Sequence, residues 1–263
     1  MFSQPISVLI INDDKQDRLT IRHYLSTGNK KNYQIFEASS GKKALETLKT
    51  VRVDGVILDF HLSDMDGVEF LQQLQNHFFS STFAVIILTE VGNESRAMQA
   101  MKNGAQDYLI QENLTRYNLQ KSLYLAIERV KIRRKLEQSE QRFRGTFEQA
   151  AVGIYHINLV GEFLLFNQRF SQITGYFSEE IKQKTLEEII FYEDLPKYQK
   201  QLERLLNHET ETFTLEQRVL RGDGLIIWIN VTVSVIKKKD SSPDYLLGIV
   251  EEIQERKQTE INF

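Results

Sequence analysis

Between residues 6 and 111 the chain alternates short apolar runs with helix-period segments, and no other feature restricts its fold so tightly. The runs are Ile6 to Ile11, Tyr33 to Ala38, Gly55 to Asp59, Phe83 to Thr89 and Asp107 to Ile110. The amphipathic stretches between them begin behind residues suited to capping a helix: Asp14 before Lys15 to Leu25, Ser40 before Gly41 to Leu48, Asp66 before Val68 to Phe78, and Asn93 before Glu94 to Lys102. Five βα units joined by crossover helices give an α/β doubly wound, five-stranded parallel sheet covered on both faces. The runs at Ile6, Gly55 and Phe83 are the most uniformly apolar, which places them at the centre of that sheet.

In an open parallel sheet, ligands gather at the carboxyl ends of the strands. Asp59 ends its apolar run at such a position, and Asn12-Asp13-Asp14 ends another. If the two strands are neighbours, three carboxylates converge. At roughly 4 Å and an effective dielectric of 20, each like-charged pair repels by about 4 kcal/mol. The expected response is a bound divalent cation, a raised carboxyl pKa, or both. Oxygen-only ligands at an open site favour Mg2+.

The acidic pair Asp13 and Asp14, Asp59 with its Met65-Asp66-Gly67 tail, Thr89 ending the fourth run, and Gly104-Ala105-Gln106-Asp107-Tyr108-Leu109 together resemble a response-regulator receiver domain. The resemblance implies that Asp59 accepts a phosphoryl group from a partner histidine kinase or phosphotransfer protein. It implies that Asp14, Asp59 and the backbone carbonyl of His61 hold Mg2+, with Asp13 acting through water. It further implies that Thr89 binds the phosphoryl group through its hydroxyl and that Tyr108 changes rotamer with phosphorylation. Phosphoryl transfer mainly needs positioning and charge neutralisation, which such a set supplies. One departure matters: the family's Lys-Pro after the fifth strand reads Gln111-Glu112 here. Glutamine offers a neutral donor where lysine would offer a full charge, so a weakened switch is expected. Ser63 in place of a proline is a smaller change. A receiver that has lost phosphorylation and serves as a dimerisation scaffold is the competing expectation.

A chain of 263 residues is long enough for two domains with separate cores. The longest apolar runs, such as Phe83 to Leu88, are too short to cross a bilayer, and the N-terminus has no basic region leading into an apolar core. A cytoplasmic protein is expected. No cysteine is present, which excludes disulfides, thiolate catalysis and Cys-ligated metals. A net charge of -3 gives no signal for nucleic acid.

From Leu114 to about Thr146 the pattern becomes one long helix that extends roughly 45 to 50 Å. Leu119, Leu123, Ile127 and Val130 have the spacing of a face packed onto the receiver. Leu125, Ile132, Leu136 and Phe143, interrupted by Arg129 and Ser139, form a second, weak heptad-like stripe that points to a parallel coiled-coil homodimer, with a monomeric connector as the competing expectation. The basic residues Arg129, Lys131, Arg133, Arg134 and Lys135 read as a solvated face rather than a nucleic-acid contact. The expected organisation is a receiver over 1–124, a connecting signalling helix over 125–140 and a second domain over 141–258.

That second domain opens with strand-like Val152 to Ile157, a Leu159-Val160-Gly161 turn, and Glu162 to Asn167. Helical stretches follow from Gln168 to Gly175 and from Ser178 through Pro196 to Asn207, then strands at Thr212 to Leu220, Leu225 to Ile236 and Tyr245 to Ile253. Gly222-Asp223-Gly224 is the hairpin turn between the first two of these strands. Phe166-Asn167-Gln168-Arg169-Phe170, Ile173-Thr174-Gly175-Tyr176, Glu193-Asp194, Arg221 to Gly224 with Trp228, and the ending Glu252 to Lys257 resemble an α+β PAS domain with an antiparallel sheet. By that resemblance the domain senses a ligand or dimerises. The missing cysteine excludes thiol-flavin photochemistry. His156 and His208 are the candidates for a haem ligand, although a lone histidine is more often structural. The aromatics Tyr155, Phe163, Phe166, Phe170, Tyr176 and Phe191 read as core, so no ligand is named.

None of His23, His61, His77, His156 and His208 lies in a kinase-type phosphoacceptor context, and no Gly-rich nucleotide loop, cyclase or DNA-reading helix-turn-helix is present. The chain is therefore expected to be a non-enzymatic signalling protein acting through contacts, or alternatively the input half of a longer histidine kinase or diguanylate cyclase.

Overall fold

The computed structural model describes residues 5–27, 32–77, 83–92 and 94–261, and the chain divides into two compact units, Met1–Ser139 and Glu140–Phe263. In the first unit β1 (Ile6–Ile11), α1 (Lys15–Ser26), β2 (Tyr33–Ala38), α2 (Gly41–Thr50), β3 (Gly55–Asp59), α3 (Gly67–His77), β4 (Ala84–Thr89), α4 (Glu94–Lys102) and β5 (Asp107–Ile110) follow one another as the apolar periodicity requires. The expected end of α3 at Phe78 and the cap of α4 at Asn93 lie outside the described residues. A short 3-10 turn, Gln111–Asn113, leads into α5 (Arg116–Glu148).

The first sheet is parallel, in the order β2-β1-β3-β4-β5, so the three most apolar runs are its central strands. All six residues of β4 are buried, because helices cover both sides and no face is left for water. One layer places Val56, Leu58 and Ile87 against Phe70, Leu71 and Leu74 of α3; the other places Val8, Ile10, Ile57 and Ile86 against Ile21, Leu25 and α5. Leu119, Leu123 and Ile127 of α5 are 0%, 0% and 2% exposed, the face expected from their spacing. Truncating one of these leucines to alanine costs about 2–5 kcal/mol.

The second unit has an antiparallel sheet in the order β7-β6-β10-β9-β8, built from β6 (Gly153–Ile157), β7 (Phe163–Phe166), β8 (Thr212–Leu220), β9 (Ile226–Lys237) and β10 (Pro243–Glu252). Alternate residues of β8 are buried, the period-2 signature of a sheet covered on one face. The covering elements are α6 (Gln168–Thr174), α7 (Ser178–Ile181), α8 (Leu186–Ile189) and α9 (Leu195–Leu206), with α10 (Gln254–Ile261) after the last strand. The helical span read from Ser178 to Asn207 is thus three helices. It breaks because Thr185 and Ile190 leave the helical path to form bridges to Glu162 and Val219, and Pro196 opens α9 within its first turn, where its missing N–H costs nothing. A Cβ on Gly248 of β10 would enter the ring of Tyr155, so the close stacking of that buried tyrosine on the sheet depends on glycine there.

Candidate functional site

The carboxyl ends of β1, β3 and β4 form one edge, and the turn that follows β3 has a fixed backbone. After β3, the Phe60 N–H donates to Leu88 O at 2.9 Å and the Gly67 N–H to Phe60 O at 2.8 Å. Asp64 accepts from the Gly41 and Lys42 N–H groups at 2.9 and 3.0 Å, tying the loop to the start of α2. Asp66 accepts from the Glu69 N–H at 2.8 Å and so caps α3. Met65 is buried against Gly41, where any Cβ would collide with its thioether. Two of the acids in this acidic loop therefore anchor the backbone around Asp59.

Asp59 is half-buried, and each of its carboxylate oxygens has a donor. Asn12 Nδ2 donates to Oδ2 at 2.7 Å and the His61 N–H donates to Oδ1 at 3.2 Å. Its pKa is pushed up to about 6, first by burial, which the His61 N–H partly opposes, and then by the negative charges of Asp13 and Asp17. The carboxyl thus ends β3, and its raised pKa owes more to burial than to the neighbouring acids.

The crowd differs from the expected one. Asp14 does not join it: its Oδ1 accepts from the Gln16 and Asp17 N–H groups at 2.5 and 3.2 Å as the N-cap of α1. Asp13 and Asp17 are the acids that act on Asp59, and among the described residues no group of three or more His, Asp or Glu side chains is placed to hold a metal ion. Asn12, fully buried, takes the place beside Asp59 that the acidic pair was read as filling. The signal for it is strand register, since residue 12 follows the last residue of β1 directly and the capping position falls two residues later. Arg18 gathers the turn by donating to Asn12 O at 2.8 Å and Asp13 O at 3.1 Å.

Thr89 closes β4 and is 1% exposed, its hydroxyl 3.5 Å from Glu90 O. Tyr108 on β5 is partly buried against the cluster that contains Phe60 and Ile87. Gln111 turns its amide toward α1 and donates to Asp17 Oδ2 at 3.5 Å. A small cavity of about 90 Å3 lies there, lined by Asp17, Thr20, Tyr24, Leu88 and Gln111. Its volume suits a few waters and no organic ligand.

In the second unit Glu193 and Asp194 are structural. Arg218 of β8 grips Asp194 through Nε and Nη2 at 3.0 and 2.9 Å, reaches Glu193 at 2.9 Å, and lies over the rings of Phe191 and Trp228. Those hydrogen bonds hold the Asp194 carboxyl below the usual range despite its partial burial. Asn167, also fully buried, caps α6 through the Phe170 N–H and donates to Phe147 O and Val152 O. His156 stacks on Tyr245 at 4.8 Å and meets Phe147 edge-on, and burial pushes its pKa down. His208 sits just beyond α9 with φ of 61°. A cavity of about 210 Å3 is lined by Ile157, Leu159, Leu186, Tyr198, Leu202 and Leu246 among others. Tyr155, Phe163 and Phe170 form an aromatic core cluster, in keeping with their reading as core.

A doubly wound sheet that presents one crowded aspartate at the end of its middle strand, followed by a sheet covered on one face by short helices, defines the class: a receiver joined to a sensor-type module. Residues 8–122 match the response regulator receiver domain and residues 163–250 the PAS fold. The chain therefore carries a response-regulator receiver domain followed by a PAS domain, the kinds of domain found in two-component signalling. It is similar to the sensor histidine kinase TmoS of Ectopseudomonas mendocina, 26% identical over 96% of this chain and 29% of that protein. It is also similar to the probable diguanylate cyclase DgcE of Escherichia coli, 32% identical over 49% of this chain and 12% of that protein. This chain thus spans under a third of the length of either relative. Among solved structures, a response regulator receiver domain protein from Clostridium thermocellum is 28% identical with a TM-score of 0.43, over 48% of this chain and 98% of that one. No helix among the described residues is long and apolar enough to cross a membrane.

Proposed function

We propose that Asp59 is a phosphoacceptor in a two-component pathway and that the PAS module carries the resulting signal through protein contacts. The observation that carries this reading is the Asp59 carboxylate itself, crowded by two other acids at the end of the central strand and held by a donor on each oxygen. In the transfer, an Asp59 oxygen forms a P–O bond as the P–N bond of a phosphohistidine donor breaks, and the departing imidazole takes up a proton. Thr89 supplies a hydroxyl to the phosphoryl group and Tyr108 responds from β5. Receiver domains typically depend on Mg2+, and the residues present suit it: Asp13, Asp59 and the His61 carbonyl offer hard oxygens, and the negative charges of Asp13 and Asp17, which add to burial in raising the Asp59 pKa, are charges a divalent cation offsets. Two carboxylates with water completing the shell match the preference of Mg2+. When bound, the cation neutralises phosphoryl oxygens. Asp14 has no part in this set, because its carboxylate caps α1.

The partner for output is a second copy of the chain. Leu125, Ile132, Leu136 and Phe143 on α5 are 42%, 65%, 68% and 50% exposed, at heptad positions d, d, a and a. In a parallel, in-register pair this frame sets Glu128 opposite Arg133 of the second copy and Lys135 opposite Glu140, opposite signs in both cases. Arg129 and Ser139 occupy the remaining core positions and weaken the pairing.

The test is treatment of the full chain with acetyl phosphate and Mg2+, read by intact mass and sedimentation. A gain of one phosphoryl group that Asp59→Ala abolishes supports acceptance, and a mass unchanged under saturating donor rejects it. Dissociation of a dimer by Leu136→Glu supports the α5 pairing, and a parent that sediments as a monomer at high concentration rejects it.

A further inference from the structure

The residue that touches Asp59 most closely is not an acid. Asn12 is 0% exposed, and its carboxamide has only one workable orientation: Oδ1 accepts from the Asp14 N–H at 2.7 Å, which leaves Nδ2 to donate to Asp59 Oδ2 at 2.7 Å. Its backbone is pinned as well, since its N–H donates to Ala38 O at 3.2 Å and its carbonyl accepts from Arg18 at 2.8 Å. A residue held at four points, two on its side chain and two on its backbone, does not turn its oxygen toward Asp59 or toward a cation beside it without breaking both side-chain bonds.

Resting on the reading of Asp59 as the acceptor, we propose that Asn12 is a positioning residue that keeps this site at two carboxylates, so that Asp59 is ordered without a cation and Mg2+ binds weakly. An aspartate has the same shape and keeps the oxygen that Asp14 N–H requires, but it presents an anion where Asn12 presents a donor. The site would then hold Asp13, Asp59 and a third charge, and would need the cation both to be ordered and to relieve repulsion. With Asn12, a neutral N–H does the ordering. The cation is left with the single task of meeting phosphoryl oxygens, so its occupancy is set by the phosphoryl donor more than by the resting site. This is a division of labour between two neighbouring groups, and it makes Asn12 a determinant of cation dependence rather than a reacting group.

The experiment is Mg2+ titration of the full chain by calorimetry, for the parent, Asn12→Asp, Asn12→Ser and Asp59→Asn, with amide exchange of the β1 and β3 peptides followed in each. The expected result is Mg2+ binding at least about tenfold tighter in Asn12→Asp than in the parent, from the added charge. Asn12→Ser, which keeps a neutral donor, should stay within about threefold of the parent. In the absence of Mg2+, the β3 peptide of Asn12→Asp should exchange faster than that of the parent and recover on Mg2+ addition. An Asn12→Asp protein that binds Mg2+ no tighter than the parent overturns the inference, while Asp59-dependent binding by the parent leaves the acceptor reading standing. Parent binding that survives Asp59→Asn, or no binding by any form, overturns both. If Asn12→Asp unfolds without the cation, its folding midpoint against Mg2+ concentration replaces the calorimetric constant, and a midpoint equal to that of Asn12→Ser is the overturning result.

Discussion

Raising the pH from 4.5 to 7.5 should weaken the first unit through Asp59. Its folded pKa of about 6 lies above the ordinary aspartate value of 3.8, so the native state holds the proton more tightly than the unfolded chain does. Stability then falls as pH rises between the two values: the penalty is absent below the unfolded pKa and complete above the folded one. A difference of roughly two units is worth about 3 kcal/mol at face value, and because the carboxyl is partly exposed, solvent screening reduces this to about 1–2 kcal/mol. The assay is hydrogen exchange of the β1, β3 and β4 peptides in the full chain without divalent cations, with Asp59→Asn as reference. The variant shares every other titrating group, so these cancel in the comparison. Relative to the variant, the parent should lose about 1–2 kcal/mol of opening free energy across the window, and saturating Mg2+ should restore part of it at pH 7.5. Parallel pH curves for the two proteins, or a parent that gains stability relative to the variant as pH rises, would refute the reasoning.

The same protonation limits chemistry, so initial rates of Asp59 phosphorylation by acetyl phosphate at low Mg2+ should drop with a single-proton profile as pH falls through about 6, measured by intact mass; a flat profile between pH 5 and 7 contradicts this. Gly248→Ala should destabilise the second unit by about 2–3 kcal/mol, because the new methyl group and the Tyr155 ring cannot share one space. Exchange in the β6 and β10 peptides reads this, and a loss under about 0.5 kcal/mol means that the core accommodates the group. Arg218→Ala should flatten the acid sensitivity of the second unit. Asp194 is held below its ordinary pKa by Arg218, so it contributes stability above the unfolded value that is lost as pH falls through the folded one. Acid titration followed by Trp228 fluorescence compares the two, and identical acid midpoints dismiss the contribution.

The first fold was legible because its signal is local and repeated. Each buried strand is a run of apolar residues, each helix carries a stripe, and parallel connection follows from their alternation. The strand order was legible to the extent that burial on two faces removes polar residues, which singles out β1, β3 and β4. The second unit was harder between Ser178 and Asn207, where the breaks are made by bridges from Thr185 to Glu162 and from Ile190 to Val219, pairings set by tertiary contact. At the site, Asp59, Thr89 and Tyr108 could be named from strand ends. Asp14 was given two roles, helix cap and cation ligand, and a carboxylate occupied by two N–H groups of α1 serves the first. Asn12 was passed over because a search for charge does not see a neutral residue, and Asp17 because a helix residue shows its effect only once the helix is placed.

Those two overlooked residues change the electrostatic logic of the site. Asp17 brings a second negative influence onto Asp59 from α1, and the amide of Gln111 is turned toward Asp17. The Arg18 guanidinium is spent on the Asn12 and Asp13 carbonyls and on Glu37. Asn12 and the His61 N–H, both neutral, are the hydrogen-bond donors that meet the Asp59 carboxylate. Among the described residues, no hydrogen bond brings a cationic side chain to the Asp59 carboxylate, which is in keeping with a positive charge that arrives with the phosphoryl group. A site arranged this way leaves Asp59 ordered but energetically uncomfortable at neutral pH, which favours any event that removes its charge. Phosphorylation converts the carboxylate to an acyl phosphate and moves the negative charge outward onto phosphoryl oxygens, away from the buried strand end. On this account the driving contribution of the fold is relief at Asp59, and the weak point is the outer phosphoryl charge, which neither Gln111 nor Asn12 can neutralise.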